Sequence, residues 1–257
     1  MRNAWTIAKR EFVHYFVSPI AYAVALMFIG ILGLLFWGNI ALSSAQSGLG
    51  GGTQATMQIV FGPLGSLILF FVPVLTMRLL SEEQNKGTLE LMLTAPLREW
   101  ELVLGKWLGA WFFGLCLLAA TGVYALILYA YGTPDSGSLI SGYLGLALMI
   151  GALLAVGVLA SSLTGNLIVA VAIGYGFTLT IWIIGIIADP LQSMAAGFTS
   201  GTSNVIVDVL NYIDFSGHFQ DTFNRGVINT ADIVYFLSVI VLSLFLATRV
   251  VESRRWQ

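Results

Sequence analysis

Few side chains in this 257-residue chain have chemistry to offer, and they are scattered. His14 and His218 are the only histidines and Cys116 the only cysteine, so no HExxH zinc pair and no CxxC couple exists. A lone cysteine can neither close a disulfide within the chain nor build a metal cluster. Cys116, set among Leu115, Leu117 and Leu118, is expected to pack as a small apolar residue. His14 is expected on a solvated polar face, and His218, with no clustered partner, does not make a metal site. Gly105-Lys106-Trp107 lacks the glycine spacing and the Ser/Thr of a P-loop, so the chain is not expected to hydrolyse ATP or to hold a cofactor or metal. What stands out instead is residues 78–100, where seven charged residues share one short stretch between two apolar runs.

The elements that must position that stretch follow from composition. The chain is 58% hydrophobic and 9% charged, with a mean hydropathy of +0.89, where soluble domains carry about 25% charged residues. The bilayer is the solvent this composition suits. The net charge of −2 says little about partners, but no basic patch of the nucleic-acid type is present, so no nucleic-acid partner is expected.

A membrane-spanning helix needs about 20 largely apolar residues. Six stretches qualify: 20–42, 59–77, 107–130, 139–163, 167–188 and 233–250. Pro73 removes a backbone donor inside the second and is expected to kink it. Ten of the eleven Lys and Arg residues fall on one side of this arrangement and only Arg225 on the other. The bias puts both termini and residues 78–106 in the cytoplasm. Ser43-Ser44-Ala45 has a faint likeness to a cleavage site, but the apolar run before it is long and residues 1–19 precede that run, so the first span is expected to stay.

Residues 1–17 form an interfacial helix, with Trp5, Ala8, Phe12, Tyr15 and Phe16 on one face and Arg10, Glu11 and His14 on the other. Ser18-Pro19 ends it. On the opposite side, residues 43–58 are rich in Ser, Gly, Thr and Gln and are expected to form a flexible loop, and residues 131–138 a tight turn. Residues 189–230 hold two short candidate helices, 204–210 and 215–223. In the second, Phe215, Phe219 and Phe223 share a face, and Asn229 or Thr230 caps the last span.

The spans contain no Asp, Glu, Lys or His in their central parts, which argues against a proton-driven transporter or a charge-selective channel. Asn39, Ser66, Thr121, Asn166, Thr178 and Thr180 are read as bonds between helices. Ala147, Gly151 and Ala155 line one face of the fourth span, and Ala170, Gly174 and Thr178 one face of the fifth. These stripes let helices approach closely, within the chain or between chains.

Within residues 78–106, Arg78 and Glu82 are spaced to pair, and Gly87-Thr88 opens a two-turn helix with Thr88 as cap and Glu90 in its first turn. Leu89, Met92 and Leu93 make its apolar face, and Ala95-Pro96 ends it. Two turns are not stable alone in water. The face needs a partner, either the protein's own membrane domain or a groove on a cytoplasmic protein.

Ser81-Glu82-Glu83, then Gly87-Thr88-Leu89-Glu90-Leu91-Met92-Leu93-Thr94-Ala95-Pro96, then Leu104-Gly105-Lys106, resembles the signature of ABC type-two permeases. The stretch from Phe215-Ser216-Gly217-His218 through Gly226-Val227-Ile228, with Asp232 and Tyr235, resembles the subgroup typified by the gliding-motility permease. The resemblance implies an all-α, type V exporter-like fold with six spans, a coupling helix between spans two and three, and short outer helices before span six. It implies a permease subunit in a bacterial inner membrane, paired with an identical or related permease and with separate ATPases that bind ATP and Mg. A periplasmic auxiliary subunit is a further partner of such systems. Glu82, Glu83 and residues 87–94, Thr94 included, would meet the ATPase. Two readings follow: an ATP-driven exporter, or a transducer that passes ATPase strokes to a periplasmic partner with no cargo. A channel or secondary transporter leaves the charged stretch unexplained.

Overall fold

The structure, a computed structural model, describes residues 2–48, 58–88, 98–131, 135–195 and 212–254. Among these, every regular element is helical. They are α1 (Arg2–Val17), α2 (Pro19–Gly48), α3 (Gln58–Thr76), α4 (Ser81–Asn85), α5 (Glu99–Ala120), α6 (Gly122–Tyr131), α7 (Ser136–Ser162), α8 (Leu167–Ala195), α9 (Phe215–Gln220), a 3₁₀ turn (Phe223–Arg225) and α10 (Thr230–Arg254). The expected loop at 49–57, the turn at 132–134 and the candidate helix 204–210 lie outside the described residues.

Six helical stretches are long and apolar enough to cross a membrane: Pro19–Leu42, Val60–Asn85, Glu99–Ala130, Ser136–Ser162, Leu167–Ile187 and Thr230–Arg254. Several helices outrun the apolar windows. α2 continues through residues 43–48, read as loop, and α8 continues seven residues past 188 into the segment read as extramembranous. Polar residues such as Ser and Gln extend a helix at little cost once a long apolar run has nucleated it. Pro73 does not end α3, which runs unbroken to Thr76 and stops one turn later. Its ring lies beside Gly174 of α8, where an added Cβ would come within 3.3 Å.

The core is built around α7. Its apolar window is 78% buried, against 17% for α8 and 28% for α2 and α10, so α7 is the central post and the others present a face to lipid. Bilayer chains are as apolar as leucine, so helices associate by close packing and hydrogen bonding rather than by leaving water. The small residues of α7 provide the first. Gly142 seats Phe61 of α3, Gly145 seats Phe223, Gly151 seats Trp111 of α5, and Gly157 seats Thr76. Ala155 and, on α8, Ala170 are buried in the same interior. Gly151, Ala155, Ala170 and Gly174 thus have neighbours within the chain.

Aromatic donors supply the second. The indoles of Trp107 and Trp111, stacked 5.6 Å apart, donate to the carbonyls of Gly151 (2.9 Å) and Ala147 (3.0 Å) across the α5–α7 seam. Tyr124 donates to Ile29 O of α2, and Tyr175 to Phe70 O of α3. The small polar residues expected to bridge helices mostly do not. Asn39, Ser66, Thr178 and Thr180 each donate to the carbonyl four residues back in their own helix. Asn166 caps α8 through Ile168 N. Only Thr121 reaches another helix, with its hydroxyl 3.4 Å from that of Tyr143. A short side chain meets its own helix before it can span the gap to a neighbour, whereas an indole or phenol reaches across. Cys116 is exposed on α5 rather than packed.

Replacing Gly145 by Leu forces a side chain into the Phe223 ring, and thermal unfolding of the detergent-purified protein should register a loss of about 1–3 kcal/mol. Gly176→Ala, with open space where its Cβ would stand, should show no loss.

Candidate functional site: a charge-locked helix seam

The start of α1, the turn between α3 and α4, the start of α5 and the ends of α7 and α10 share one end of the molecule. At that end α1 lies along α5. Gly105 and Gly109, four apart on α5, receive Ala4 and Ala8, four apart on α1. A Cβ on Gly105 would come within 2.8 Å of Ala4 O, and one on Gly109 within 2.6 Å of the Glu11 Cβ. Asn3 closes the near end of the seam by donating to Glu101 (3.1 Å). Tyr15 closes the other: its ring stacks on Phe113 at 4.7 Å and its hydroxyl donates to Leu75 O of α3 (2.9 Å). Burial pushes that hydroxyl far above the usual tyrosine range, so it remains a neutral donor.

Between the two glycines stands Lys106, only 2% exposed. Its Nζ lies 3.1 Å from Glu11 Oε1 of α1 and 2.8 Å from Glu83 Oε1 of α4. Arg10 adds a looser contact to each carboxylate, at 3.3 and 3.8 Å. The other oxygen of Glu83 is buried without a hydrogen bond, so its charge depends on these cations. Three elements thus meet on one buried ammonium. Glu11 was expected on the polar face of the amphipathic helix. It turns inward, and Trp5 and Phe16 face outward instead, at 59% and 42% exposed. The closest approach at the two glycines selects Ala4, Ile7, Ala8 and Glu11 as the packed face, and the Lys106 charge repays the burial of Glu11.

α4 itself was read as loop. Glu82 takes a hydrogen bond from Lys86 (2.7 Å) and lies 3.8 Å from Arg78 Nε. Gly87, at φ +68°, ends α4 in the left-handed conformation, and Thr88 directly after it is already helical. Thr88 Oγ1 donates back to Glu83 O (3.3 Å). Ser161 of α7 pins the turn before α4: its hydroxyl accepts from Leu80 N and Ser81 N, each at 3.0 Å, and donates to Met77 O (3.2 Å). Gln84 donates to Ser162 O (3.0 Å) and Arg254 to Leu163 O (3.0 Å), drawing α4 and the end of α10 onto the same corner. A cleft of about 580 Å³ opens between α1 and α4, with Arg10, His14, Arg78, Glu82 and Lys86 on its walls.

Of the residues singled out in the sequence, Glu82, Glu83, Gly87 and Thr88 come together here. Leu89, Glu90, Met92, Leu93 and Thr94 lie outside the described residues. Sequence reading did not bring Lys106, quoted only in the motif, and Glu11, placed on a polar face, together with Glu83, and it passed over Ser161. The paired small residues Ala4/Ala8 and Gly105/Gly109 were the available signal for the first two, and nothing local marks Ser161. Among the described residues no group of three or more His, Cys, Asp or Glu could hold a metal ion.

A model of the ABC-2 family transporter proteins matches residues 38–251. The chain belongs to that family. Over 163 residues it is 31% identical to a probable ABC transporter permease protein, NosY, of Pseudomonas aeruginosa. The matched stretch covers 59% of this chain and 56% of that protein, so the likeness spans little more than half of either. In this ABC-2 protein the charge-locked corner lies within and just ahead of the family match, since α1 precedes residue 38.

Lys106→Met leaves Glu11 and Glu83 with only the looser contacts of Arg10, which should lower stability by about 3 kcal/mol in thermal unfolding. Adding Glu11→Gln and Glu83→Gln to that variant should restore most of the loss. Equal instability of the single and triple variants would show that the charges are not what holds the seam.

Proposed function

We propose that this chain is the permease subunit of an ATP-driven ABC exporter of a bacterial inner membrane, with both termini cytoplasmic. The nucleotide and its Mg are bound by separate ATPase subunits, and a second permease, identical or related, completes the membrane unit. The observation that carries this reading is the fastening of α4. The segment immediately before residues 89–94 is tied to α1 and α5 by Lys106 and to α7 by Ser161 and Gln84. A push on Leu89, Met92 and Leu93 from an ATPase groove would therefore enter three helices at once. Rigid hydrogen-bonded attachments transmit displacement where a loose loop absorbs it. Family membership supports the partner, and the uncharged spans favour an amphipathic or lipidic cargo over an ion. The stretch from Phe215 to Tyr235 supports the gliding-motility-like subgroup, in which a periplasmic auxiliary partner would meet the opposite end.

Leu89→Asp with Leu93→Asp should abolish co-purification of the ATPase, at least tenfold below wild type, while the permease itself remains folded. Undiminished association together with undiminished transport would sink the coupling role. In reconstituted vesicles, ATP-dependent movement of cargo supports export. ATP turnover that responds only to a periplasmic partner would replace export by transduction of force.

A further inference from the structure

Arg78, at the end of the second span, is a cation whose charge is poorly matched. Its Nε is buried and makes no hydrogen bond. The carboxylate oxygen beside it, Glu82 Oε2, lies 3.8 Å from that nitrogen, beyond hydrogen-bond reach. Glu82 is committed instead to Lys86, at 2.7 Å. The Arg78 side chain is 37% exposed, and it opens on the cleft between α1 and α4. Arg10, Arg78, Lys86 and Lys106 line that cleft against three carboxylates, Glu11, Glu82 and Glu83. Lys106 and Arg10 hold Glu11 and Glu83, and Lys86 holds Glu82. One positive charge is left over, and it is that of Arg78.

We propose that this cleft binds the headgroup phosphate of an anionic phospholipid, drawn from the leaflet on this side of the membrane, with Arg78 as the principal ligand. A guanidinium presents a planar fork of donors that matches phosphate oxygens, and it gives up water more readily than an ammonium. With Nε closed to water, the charge has to be met from the cleft. A phosphodiester with one negative charge balances the surplus. The position and lining of the cleft select an amphiphile. Arg78 follows Met77, the last residue of the apolar run, so its charged end stands at headgroup level. Val13 and Val17 line the same cleft and are 51% and 74% exposed. Beyond them Ile20 and Tyr22 of α2 are exposed as well, giving acyl chains an apolar path out of the cleft. At about 580 Å³ the cleft is within the range of small-ligand sites.

Arg225 and Arg249, by contrast, are matched, pairing with Asp221 at 2.9 Å and with Glu252 at 2.8 Å. A free phosphate would satisfy Arg78 but leave Val13 and Val17 uncovered, whereas a lipid covers both. Lys106 joins α1 to α4 from the closed side of the seam. A phosphate on Arg78, with His14 of α1 on the same lining, would join α1 to the turn before α4 from the open side. The site belongs to this chain alone, and it holds whether or not an ATPase engages residues 89–94.

The test is native mass spectrometry of the full chain, purified in detergent without an ATPase. Added dioleoylphosphatidylglycerol should be retained by wild type and by Arg249→Gln, and about tenfold less by Arg78→Gln. Equal retention by Arg78→Gln, or an equal loss in Arg249→Gln, overturns the proposal. Dioleoylglycerol, which lacks the phosphate, and inorganic phosphate, which lacks the chains, should not displace the lipid at equal concentration. Displacement by either one overturns the assignment to a phospholipid. A second measurement does not depend on the variant folding. In wild type, phosphatidylglycerol should slow backbone hydrogen exchange in residues 10–18 and 78–86, and dioleoylglycerol should not. Protection that arises there only when an ATPase subunit is added gives Arg78 to an acidic group of that partner and rules the lipid site out.

Discussion

A buried ammonium has to be neutralised where it stands, and that constraint organises the end of this molecule that carries the termini. Lys106 cannot reach water from between Gly105 and Gly109, so its charge must be met by side chains brought to it. Glu11 comes from α1 and Glu83 from α4. Moving any one of the three helices out of register would leave at least one charge alone in a place that solvates it poorly. The seam is thus specified by charge as well as by shape, and the two demands fall on the same turn of α5.

Farther into the membrane, the same problem of specificity is solved without charge. Helices in lipid gain little by meeting each other, so contact has to come from fit and from polar groups that reach across. α7 supplies the fit through Gly142, Gly145, Gly151 and Gly157, each beneath a larger side chain from outside the helix. Tryptophan and tyrosine supply the reach, donating from α5, α6 and α8 to carbonyls on their neighbours. The corner beyond Thr76 extends this scheme with Ser161, a single hydroxyl that satisfies two amide donors and one carbonyl at a break between helices. The molecule therefore has a stiff centre, with α4 fastened at one end and a short hairpin fastened at the other.

Much of this plan was legible in the residues alone. The six apolar runs, the break at Ser18, the face shared by Phe215, Phe219 and Phe223, and the Asn229 cap of α10 are local properties, and the structure has each. The site was legible only in outline. Residues 81–88 were marked by charge and by motif and Lys106 by motif alone, but nothing local showed that they meet. Lys106 is 23 residues from Glu83 and 95 from Glu11, and no local pattern links positions so distant. The amphipathic reading of α1 went wrong at Glu11 for the same reason. A polar residue can face inward when its counter-charge waits there, and the counter-charge belongs to another helix.

By itself, then, the amino-acid sequence determined the solvent, the number of helical spans and the family, because hydropathy, period and motif are properties of contiguous residues. Tertiary structure decided which face of each helix is inside, which small residues bear neighbours, and which charged groups meet. Those outcomes depend on distances of about 3 Å between residues far apart in the chain, and such distances exist only after the helices have packed.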